Sequence, residues 1–381
     1  MKLYIIAGEA SGDLLGSSVM RALRSKMAKK EAVVQKQELE IVGIGGALMR
    51  ECGLKSLFEI WELAVGGITE AIPHIFKIRQ LIKKTAQDII NKAPDIVLTI
   101  DSPEFCFRVV KLVRQSRRDI RLIHLVAPSV WAWRPWRARQ VAKIYDHLLT
   151  LFEFEPPYFN KYGLKTTFVG HPIVESCCEI HGVKDDVLLL MPGSRRQEVK
   201  QLLVKFIRAA SQIGIKIGIK RVVVPTLPHI ESYVRRYIES IPSEIKIETI
   251  TNNADKEKLY KTAKLAIVAG GTATLQLTLF GCPMIVCYRL SWLSYAIIRP
   301  MVRVRYISLV NIIANQSIVP ELVQRDCSVD NIIKTAADLD YQQQLRDFDE
   351  FSQRLRPGPI ELPSEKIASI ILEEQLTTNR L

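Results

Sequence analysis

Short runs of β-branched and other apolar residues alternate with helical patterns along the whole chain. This alternation is typical of parallel sheets that are covered by helices on both faces. A first series of predicted strands comprises Leu3–Ala7, Ile41–Ile44, Ile96–Ile100, Leu122–Val126 and His147–Leu151. A second series comprises Val187–Met191, Lys220–Val224, Ile245–Thr249, Leu265–Val268 and Met284–Tyr288. The two series predict an α/β fold with two Rossmann-like domains, separated near residues 173–186.

The length of 381 residues also favours two domains, because one hydrophobic core seldom serves a chain of this size. We expect the first domain at 1–172 and the second at 186–345. The prolines of "RPGPIELP", Arg356–Pro363, interrupt the chain, and a helix with an isoleucine-rich face follows. The tail at 346–381 is therefore predicted to be helical. Whether its last helix packs back on the first domain stays open.

Composition and cysteine usage indicate a globular protein of the cytosol. The chain has 48% hydrophobic and 24% charged residues, which is typical of soluble domains. The apolar run Leu3–Ala7 is too short for a signal-peptide core, and no apolar run approaches the ~20 residues of a membrane span. Seven cysteines without a CxxC pair favour reduced, buried thiols over disulfides or a metal site.

The net charge of +13 predicts an anionic partner. Residues 281–320 contain four arginines and no acid, and residues 121–145 contain five basic residues, three tryptophans and no acid. Basic residues mixed with bulky apolar ones favour an anionic membrane surface or lipid. Single-stranded nucleic acid is an alternative, because arginine and aromatic side chains also bind it. Another alternative is that the apolar residues simply belong to the core.

The glycine-rich turns do not match the dinucleotide or P-loop motifs, since GxGxxG after the first strand and GxxxxGK[ST] are both absent. In "MPGSRRQEV", Met191–Val199, Ser194 is a candidate N-cap. Arg195 and Arg196 could bind a diphosphate beside the free N–H groups of the helix. An ordinary capped helix with two solvated arginines is the alternative. In "VAGGTATLQL", Val268–Leu277, a diglycine opens a second helix whose N-terminus suits phosphate.

Several acidic and basic side chains follow predicted strands. Asp101 in "LTIDSPEF" lies at the carboxyl end of a strand, where ligands bind in open α/β sheets. It is a candidate general base, and the alternative is an N-cap of the next helix. The first turn, "AGEASGD", carries Glu9 and Asp13, and we favour Glu9 as the one near substrate and Asp13 as the cap of the helix that follows the turn. His171 in "FVGHP" is either catalytic or structural.

Eight motifs, taken in order, resemble those of the lipid-A-disaccharide synthase family of inverting glycosyltransferases. The motifs are "AGEASGD" at 7–13, "ELAVGGITE" at 62–70, "DSPEF" at 101–105, "APSVWAWR" at 127–134, "FVGHP" at 168–172, "PGSRRQEV" at 192–199, "GGTATLQ" at 270–276 and "LVNIIAN" at 309–315. The resemblance implies a GT-B architecture, with the active site in a cleft between the two Rossmann-like domains. It also implies a transferase that needs no cofactor and no metal.

The resemblance implies a reaction between UDP-2,3-diacylglucosamine and 2,3-diacylglucosamine 1-phosphate (lipid X). The products would be a β-1,6-linked lipid A disaccharide 1-phosphate and UDP. By the same resemblance Asp101 is the general base and Glu9 is needed for activity. The UDP-binding positions would be Gly193, Ser194, Arg195, Gly270, Gly271, Thr272, Gln276 and Asn311. Gln276 stands where related transferases commonly have a glutamate that accepts both ribose hydroxyls, and its amide offers one acceptor oxygen where a carboxylate offers two.

The resemblance also suggests where lipid is bound. The segment Val65–Leu81 would offer an apolar surface to acyl chains and membrane. The candidate contacts are Ile68, Ile72, Ile75, Phe76, Trp131, Trp133 and Arg134. We therefore expect a cytoplasmic protein at the anionic surface of the inner membrane, as a monomer or a homodimer, with no nucleic acid partner. The alternatives are a GT-B enzyme with another lipid-linked acceptor and a basic, non-catalytic protein that binds nucleic acid.

Overall fold

The structure is a computed structural model, and it describes residues 1–31, 38–63, 71–175, 184–242, 245–292, 295–296, 304–358 and 361–378. The chain divides into two compact units. Unit 1 comprises residues 1–172 and 354–381, and unit 2 comprises residues 173–353. Each unit contains one six-stranded sheet in which neighbouring strands pair in parallel. The predicted α/β class with two parallel sheets is confirmed.

Unit 1 has the strand order β2-β1-β3-β4-β5-β6. Its strands are β1 (Lys2–Ala7), β2 (Glu40–Ile44), β3 (Ile96–Ile100), β4 (Arg121–Leu125), β5 (His147–Thr150) and β6 (Lys165–Phe168). Its helices are α1 (Ala10–Glu31), α2 (Ala47–Glu51), α3 (Ala71–Lys92), α4 (Pro103–Ser116), α5 (Arg137–Ala142) and α6 (Pro157–Asn160), with a short 3-10 helix at Ile60–Leu63. A second 3-10 helix, Pro172–Glu175, spans the boundary between the two units.

Unit 2 has the strand order β12-β11-β10-β7-β8-β9. Its strands are β7 (Asp185–Met191), β8 (Arg221–Pro225), β9 (Ile247–Ile250), β10 (Ala263–Val268), β11 (Met284–Tyr288) and β12 (Glu321–Val323). Its helices are α7 (Arg196–Ile217), α8 (Pro228–Glu239), α9 (Asn253–Thr262), α10 (Thr272–Leu279), α11 (Leu309–Ala314), α12 (Val329–Asp338) and α13 (Tyr341–Arg354). The last helix of the chain, α14 (Pro363–Thr378), returns to unit 1.

The central strands are apolar because both of their faces are covered. In β1, Leu3 and Ile5 enter one core cluster and Tyr4 and Ile6 enter the cluster on the opposite face. All five residues of β3 are buried. A strand buried on both faces shows a continuous apolar run in place of an alternating pattern. This is why the central strands could be predicted with nearly correct ends.

The final helix α14 packs against α1 and contributes Ile367, Ile370 and Ile371 to the same core cluster as β1. The packing thus brings the isoleucine-rich face of α14 onto unit 1. None of the helices in the described part of the chain is long and apolar enough to span a membrane.

A buried carboxylate fixes α14 to the sheet. The side chain of Glu374 is 3% exposed, and its oxygens lie 2.7 Å from Arg121, 2.8 Å from His147 Nδ1 and 2.8 Å from Lys165 Nζ. Burial by itself would raise the pKa of Glu374. The hydrogen bonds from His147 and Lys165 and the charge of Arg121 outweigh burial, and the pKa falls from 4.5 to about 2. Glu374 therefore connects α14 to β4, β5 and β6.

We expect Glu374→Gln to lower the free energy of unfolding by about 3 kcal/mol at pH 7, because the substitution removes the charge from a buried ion cluster. The lowered pKa means that this stabilisation is complete above pH 4.5 and is lost as the pH falls toward about 2. Urea unfolding between pH 7 and pH 2 measures both effects. Glu373→Gln, at an exposed position of the same helix, is the matched control. Equal acid sensitivity of the wild type and Glu374→Gln would contradict this role.

Candidate active site

Two carboxylates lie at the adjacent carboxyl ends of β1 and β3. Ala7 at the end of β1 pairs with Ile100 at the end of β3, so that Glu9 and Asp101 follow neighbouring strand ends. The charge of Asp101 acts on Glu9 and raises its pKa. The structure thus brings together the two acids that the sequence predicts to be catalytic, at the edge where ligands bind in parallel sheets.

Asp101 occupies a strained turn. Its φ of 51° is left-handed, and its backbone N–H donates to the Leu125 carbonyl over 3.0 Å. The N-cap position of α4 belongs to Ser102, and not to Asp101. Burial raises the pKa of Asp101, and a hydrogen bond from the backbone of Ser102 counteracts this in part. The side chain is therefore a carboxylate of raised basicity, which is the property that a general base needs.

Glu9 is exposed, whereas Asp13 is buried. Partial withdrawal from water is the main cause that raises the pKa of Glu9, and the charge of Asp101 is the second. Asp13 accepts hydrogen bonds from the backbone N–H groups of Gly46, Leu48 and Met49 over 2.8 to 3.0 Å. Asp13 thus caps α2. The prediction that it caps the helix after the first turn is wrong, because Asp13 lies inside that helix, α1, and its carboxylate is directed to the start of α2. Of the two acids in the first turn, Glu9 is the one with free acceptor capacity toward solvent.

The tryptophan motif follows β4, the strand that pairs with β3. Trp131 is directed inward: its Nε1 donates to Glu155 over 3.2 Å, and burial raises the pKa of Glu155 to about 7. Trp133 is 41% exposed, and the guanidinium of Arg134 lies 4.1 Å from the centre of its ring. Trp133 and Arg134 therefore form an exposed aromatic and cationic pair.

Other predicted lipid contacts are described only in part. Phe76 on α3 is 60% exposed, which is unusual for a large apolar side chain. Ile68 lies outside the described residues, and so do the side chains of Ile72 and Ile75. Of the four predicted contacts in this segment, only Phe76 has a described side chain, while Ile78 and Leu81 of the same segment pack in the core of unit 1.

His171 lies after β6, with its ring stacked on Phe152 at 5.6 Å between centroids. Burial lowers its pKa to about 4. The imidazole is consequently neutral at physiological pH. The backbone N–H of His171 donates to the carbonyl of Leu355, over 2.8 Å. The backbone of His171 thus connects the end of β6 to the tail of unit 1.

In unit 2, the predicted nucleotide-binding turns follow adjacent strands. Strand β10 pairs with β7 on one side and with β11 on the other. Gly193 and Ser194 follow β7, while Gly270 and Gly271 follow β10. Both turns therefore lie at the same edge of the sheet of unit 2.

The turn after β7 differs from its prediction in one respect. Ser194 was expected to be the N-cap, but the N-cap is Arg195 and α7 begins at Arg196. The reason is Glu198, whose carboxylate accepts from the backbone N–H of Arg195 over 3.1 Å and lies 3.5 Å from its guanidinium. Glu198 at the third helical position thus accepts from the backbone of the N-cap residue, as in a capping box, and the helix begins one residue later than predicted. The Arg195 side chain is 83% exposed, so that its guanidinium can also contact an anion from solvent.

The turn after β10 opens α10 at Thr272, with Gly271 as its N-cap. Gly271 and Thr272 are both exposed, and no side chain satisfies the N-cap contacts. Gln276, one turn into the helix, is exposed as well. The N-terminus of α10 thus presents free backbone N–H groups, which suit an anionic oxygen.

Asn311 does not lie at the surface. It is fully buried in α11, and its amide makes four hydrogen bonds: to Val319 O and Glu321 Oε1 over 2.8 and 2.9 Å, and from the N–H groups of Ile318 and Val319 over 2.8 and 2.9 Å. This is the full capacity of a carboxamide. The side chain stabilises the loop at 315–319, and direct contact with a nucleotide would require these bonds to break.

Three residues near these sites were missed by the sequence analysis. Ser102, the N-cap of α4, lowers the pKa of both Glu9 and Asp101. Glu198 fixes the backbone of Arg195, and its spacing of three residues from the N-cap is a signal that could have revealed it. Tyr288 ends β11, and burial and the charge of Glu198 raise its pKa while Arg195 lowers it. Among the described residues, no group of histidine, cysteine, aspartate or glutamate side chains could hold a metal ion.

A family model and a search of known proteins both match this chain to the same enzyme family. A family model described as Lipid-A-disaccharide synthetase matches residues 3–356 of the chain. The chain is 39% identical to the lipid-A-disaccharide synthase of Rhodospirillum centenum, and the similarity covers 97% of this chain and 94% of that relative. Both matches extend over nearly the whole chain.

Solved structures with the same architecture include a glycosyltransferase and a UDP complex. The crystal structure of the kitacinnamycin glycosyltransferase has a TM-score of 0.64 at 11% identity and covers 98% of each chain. The S. aureus MnaA–UDP co-structure has a TM-score of 0.62 at 14% identity, and the match covers 99% of this chain and 97% of that one. At these identities the similarity shows the fold alone.

The contacts of the two acids in the first turn predict effects on stability of very different size. We expect Asp13→Ala to lower the free energy of unfolding by about 3 kcal/mol, because it leaves three backbone N–H groups without their acceptor. Glu9→Gln should change it by less than about 0.5 kcal/mol, as is usual for an exposed side chain. Urea unfolding of both variants measures the difference. A stable Asp13→Ala protein would show that α2 does not depend on this carboxylate.

Proposed function

Because the chain belongs to the lipid-A-disaccharide synthase family, an enzyme family that makes the lipid A disaccharide, we propose a specific reaction for it. The 6-hydroxyl of 2,3-diacylglucosamine 1-phosphate attacks the anomeric carbon of UDP-2,3-diacylglucosamine. The new C–O bond forms as the bond to the diphosphate breaks, so that the anomeric configuration inverts and UDP leaves. The product is the β-1,6-linked disaccharide 1-phosphate.

The observation that carries this proposal is the position of Asp101. A hydroxyl nucleophile has to lose its proton as it attacks, and one carboxylate within hydrogen-bond distance can accept it. Burial raises the pKa of Asp101, which increases its affinity for that proton. Glu9, on the adjacent strand end, is proposed to accept a hydrogen bond from the sugar and to orient it. Unit 1 would then be the acceptor domain.

Unit 2 is proposed to bind the UDP moiety. The diphosphate becomes more negative as its bond to the sugar breaks, so that its stabilisation promotes the reaction. Arg195 would supply a positive charge, and the turns at Gly193–Ser194 and Gly270–Thr272 would supply backbone N–H groups. Gln276 would contact the ribose. We propose that Asn311 acts indirectly, through the loop that its amide stabilises.

We further propose that the enzyme acts at the anionic cytoplasmic surface of the inner membrane. Both substrates carry acyl chains and phosphate, and they partition to that surface. Trp133 and Phe76 are exposed apolar side chains, and Arg134 beside Trp133 could neutralise a phosphate. Aromatic and basic residues together are typical of surfaces that bind anionic bilayers.

The direct test is incubation of the purified protein with the two diacylated sugars, followed by mass spectrometry of the lipids. The expected product is the disaccharide 1-phosphate. We expect Asp101→Asn to lower kcat by about 10²- to 10⁴-fold, the usual contribution of a general base, with folding and UDP affinity retained. An unchanged kcat would remove Asp101 as the base. Transfer to a different lipid-linked sugar, or salt-sensitive nucleic acid binding without any transfer, would favour the alternative functions.

UDP binding tests the proposed role of Arg195 separately. We expect Arg195→Ala to weaken UDP binding about tenfold or more, as is usual when a charged hydrogen bond to phosphate is lost. Isothermal titration with UDP measures the change. Arg196→Ala is the matched control, because the guanidinium of Arg196 lies 5.4 Å from the centre of the Tyr233 ring on α8. Equal affinities of the wild type and Arg195→Ala would exclude this contact.

A further inference from the structure

Glu198 lies in the first turn of α7 and contacts the residue at the start of that helix in two ways. One carboxylate oxygen, Oε2, accepts from the backbone N–H of Arg195 over 3.1 Å. The other oxygen, Oε1, lies 3.5 Å from the guanidinium of the same arginine. A single half-buried carboxylate thus holds both the backbone and the charged group of Arg195.

The turn after β7 has room for this carboxylate because Gly193 has no side chain. Gly193 has a φ of 108°, and a Cβ at this position would clash with Glu198 Oε2 and would lie 2.9 Å from Glu198 Cβ. Any other residue at position 193 would therefore displace the carboxylate. Glu198 lies across the same turn whose N–H groups are proposed to bind the diphosphate of UDP.

This position brings a negative charge to a site proposed for an anion. In the free protein the carboxylate is favourable, because it compensates the partial positive charge of the helix N-terminus. The diphosphate carries charge of the same sign and would use the same N–H groups and the same guanidinium. Like charges repel each other at short distance. Glu198 and the diphosphate therefore compete for Arg195.

The ion pair between Arg195 and Glu198 can be exchanged at low cost. The Arg195 side chain is largely exposed, and an exposed ion pair contributes little to stability. A guanidinium can bind phosphate through two parallel hydrogen bonds, which is a stronger contact. The neighbouring Arg196 has its guanidinium 5.4 Å from the centre of the Tyr233 ring on α8, so that it points away from this carboxylate.

We propose that Glu198 is a positioning residue that holds the guanidinium of Arg195 in the free protein and releases it to the diphosphate when UDP binds. This inference rests on the proposed UDP site of unit 2. The contact with the backbone N–H remains in both states, so that the turn stays formed while the guanidinium changes its partner. The carboxylate also repels the bound diphosphate. UDP, a product of the proposed reaction, is consequently bound less tightly and leaves more readily.

The test compares Glu198→Gln with Glu198→Ala by isothermal titration with UDP. Glutamine keeps the shape and an acceptor oxygen for the N–H of Arg195 but removes the charge, whereas alanine removes both. We expect Glu198→Gln to bind UDP about three- to tenfold more tightly than the wild type. Glu198→Ala should bind UDP less tightly than Glu198→Gln, because the turn loses its acceptor. Unchanged or weaker UDP binding in Glu198→Gln would overturn the proposal.

Glu231→Gln is the matched control. Glu231 also lies in the first turn of a helix of unit 2, α8, and it pairs with Arg235 over 2.8 Å. Its side chain is 30% exposed, against 27% for Glu198. The control removes the same charge from the same unit, and its UDP affinity should equal that of the wild type. An equal gain in Glu231→Gln would assign the effect to net charge and contradict a specific role of Glu198.

Inorganic pyrophosphate separates this inference from the proposed function, because it carries the two phosphates without the nucleoside. We expect Glu198→Gln to bind pyrophosphate more tightly than the wild type, by a factor similar to that for UDP. If the wild type binds pyrophosphate but not UDP, the proposed function fails, and the pyrophosphate affinities still decide the role of Glu198. Absence of binding of both ligands in every variant would overturn both proposals.

The exchange of partners is tested in the Arg195→Ala background. Without the guanidinium there is no ion pair to exchange, and only the direct repulsion between Glu198 and the diphosphate remains. Glu198→Gln should therefore gain less UDP affinity in this background than in the wild type. Fully additive effects of the two substitutions would contradict action through Arg195.

Discussion

The parallel pairing of β1 with β3 is the constraint on which the candidate site of unit 1 depends. Because Ala7 is in register with Ile100, the residues that follow the two strands emerge side by side, although they are more than ninety positions apart in the chain. A shift by one residue would turn every side chain to the opposite face. The packing of both faces opposes such a shift, because the side chains of one core cluster would have to move into the other cluster. Packing far from the site therefore determines the spacing of Glu9 and Asp101.

The tail of unit 1 is held by apolar packing together with one buried ion cluster. The helix α14 buries apolar residues against α1, and apolar contact alone specifies orientation weakly. Glu374 adds a directional contact, because a buried carboxylate is tolerated only where cations and donors surround it. Arg121, His147 and Lys165 come from three neighbouring strands. The last helix is therefore tied to the far half of the sheet, opposite to the edge formed by β2.

The sequence was sufficient for the central strands and for the edge strands β2 and β9, and insufficient for the other two edge strands. Strands such as β3 are continuous apolar runs, which local patterns detect. Strands β6 and β12 were not predicted, because "KTTF" and "ELV" are short and partly polar, as edge strands commonly are.

The residues of the candidate site also differ in how far a local sequence pattern can predict them. The turns after β3, β7 and β10 could be predicted from their position after apolar strands. The contacts of Asp13 with α2 and of Asn311 with the loop at 315–319 depend on residues distant in the fold, which no local pattern reveals.

The polar residues of the motifs fall into two groups, according to whether hydrogen bonds within the protein use all of their capacity. Asp13 and Asn311 are buried and their capacity is used within the protein, so that they stabilise loops. Glu9, Asp101 and Arg195 keep capacity for a partner. Two adjacent carboxylates destabilise the free protein through their repulsion, and burial makes the repulsion stronger. In the reaction proposed for this chain, the hydroxyl of the acceptor sugar would donate to one of the two carboxylates and so relieve part of this energy.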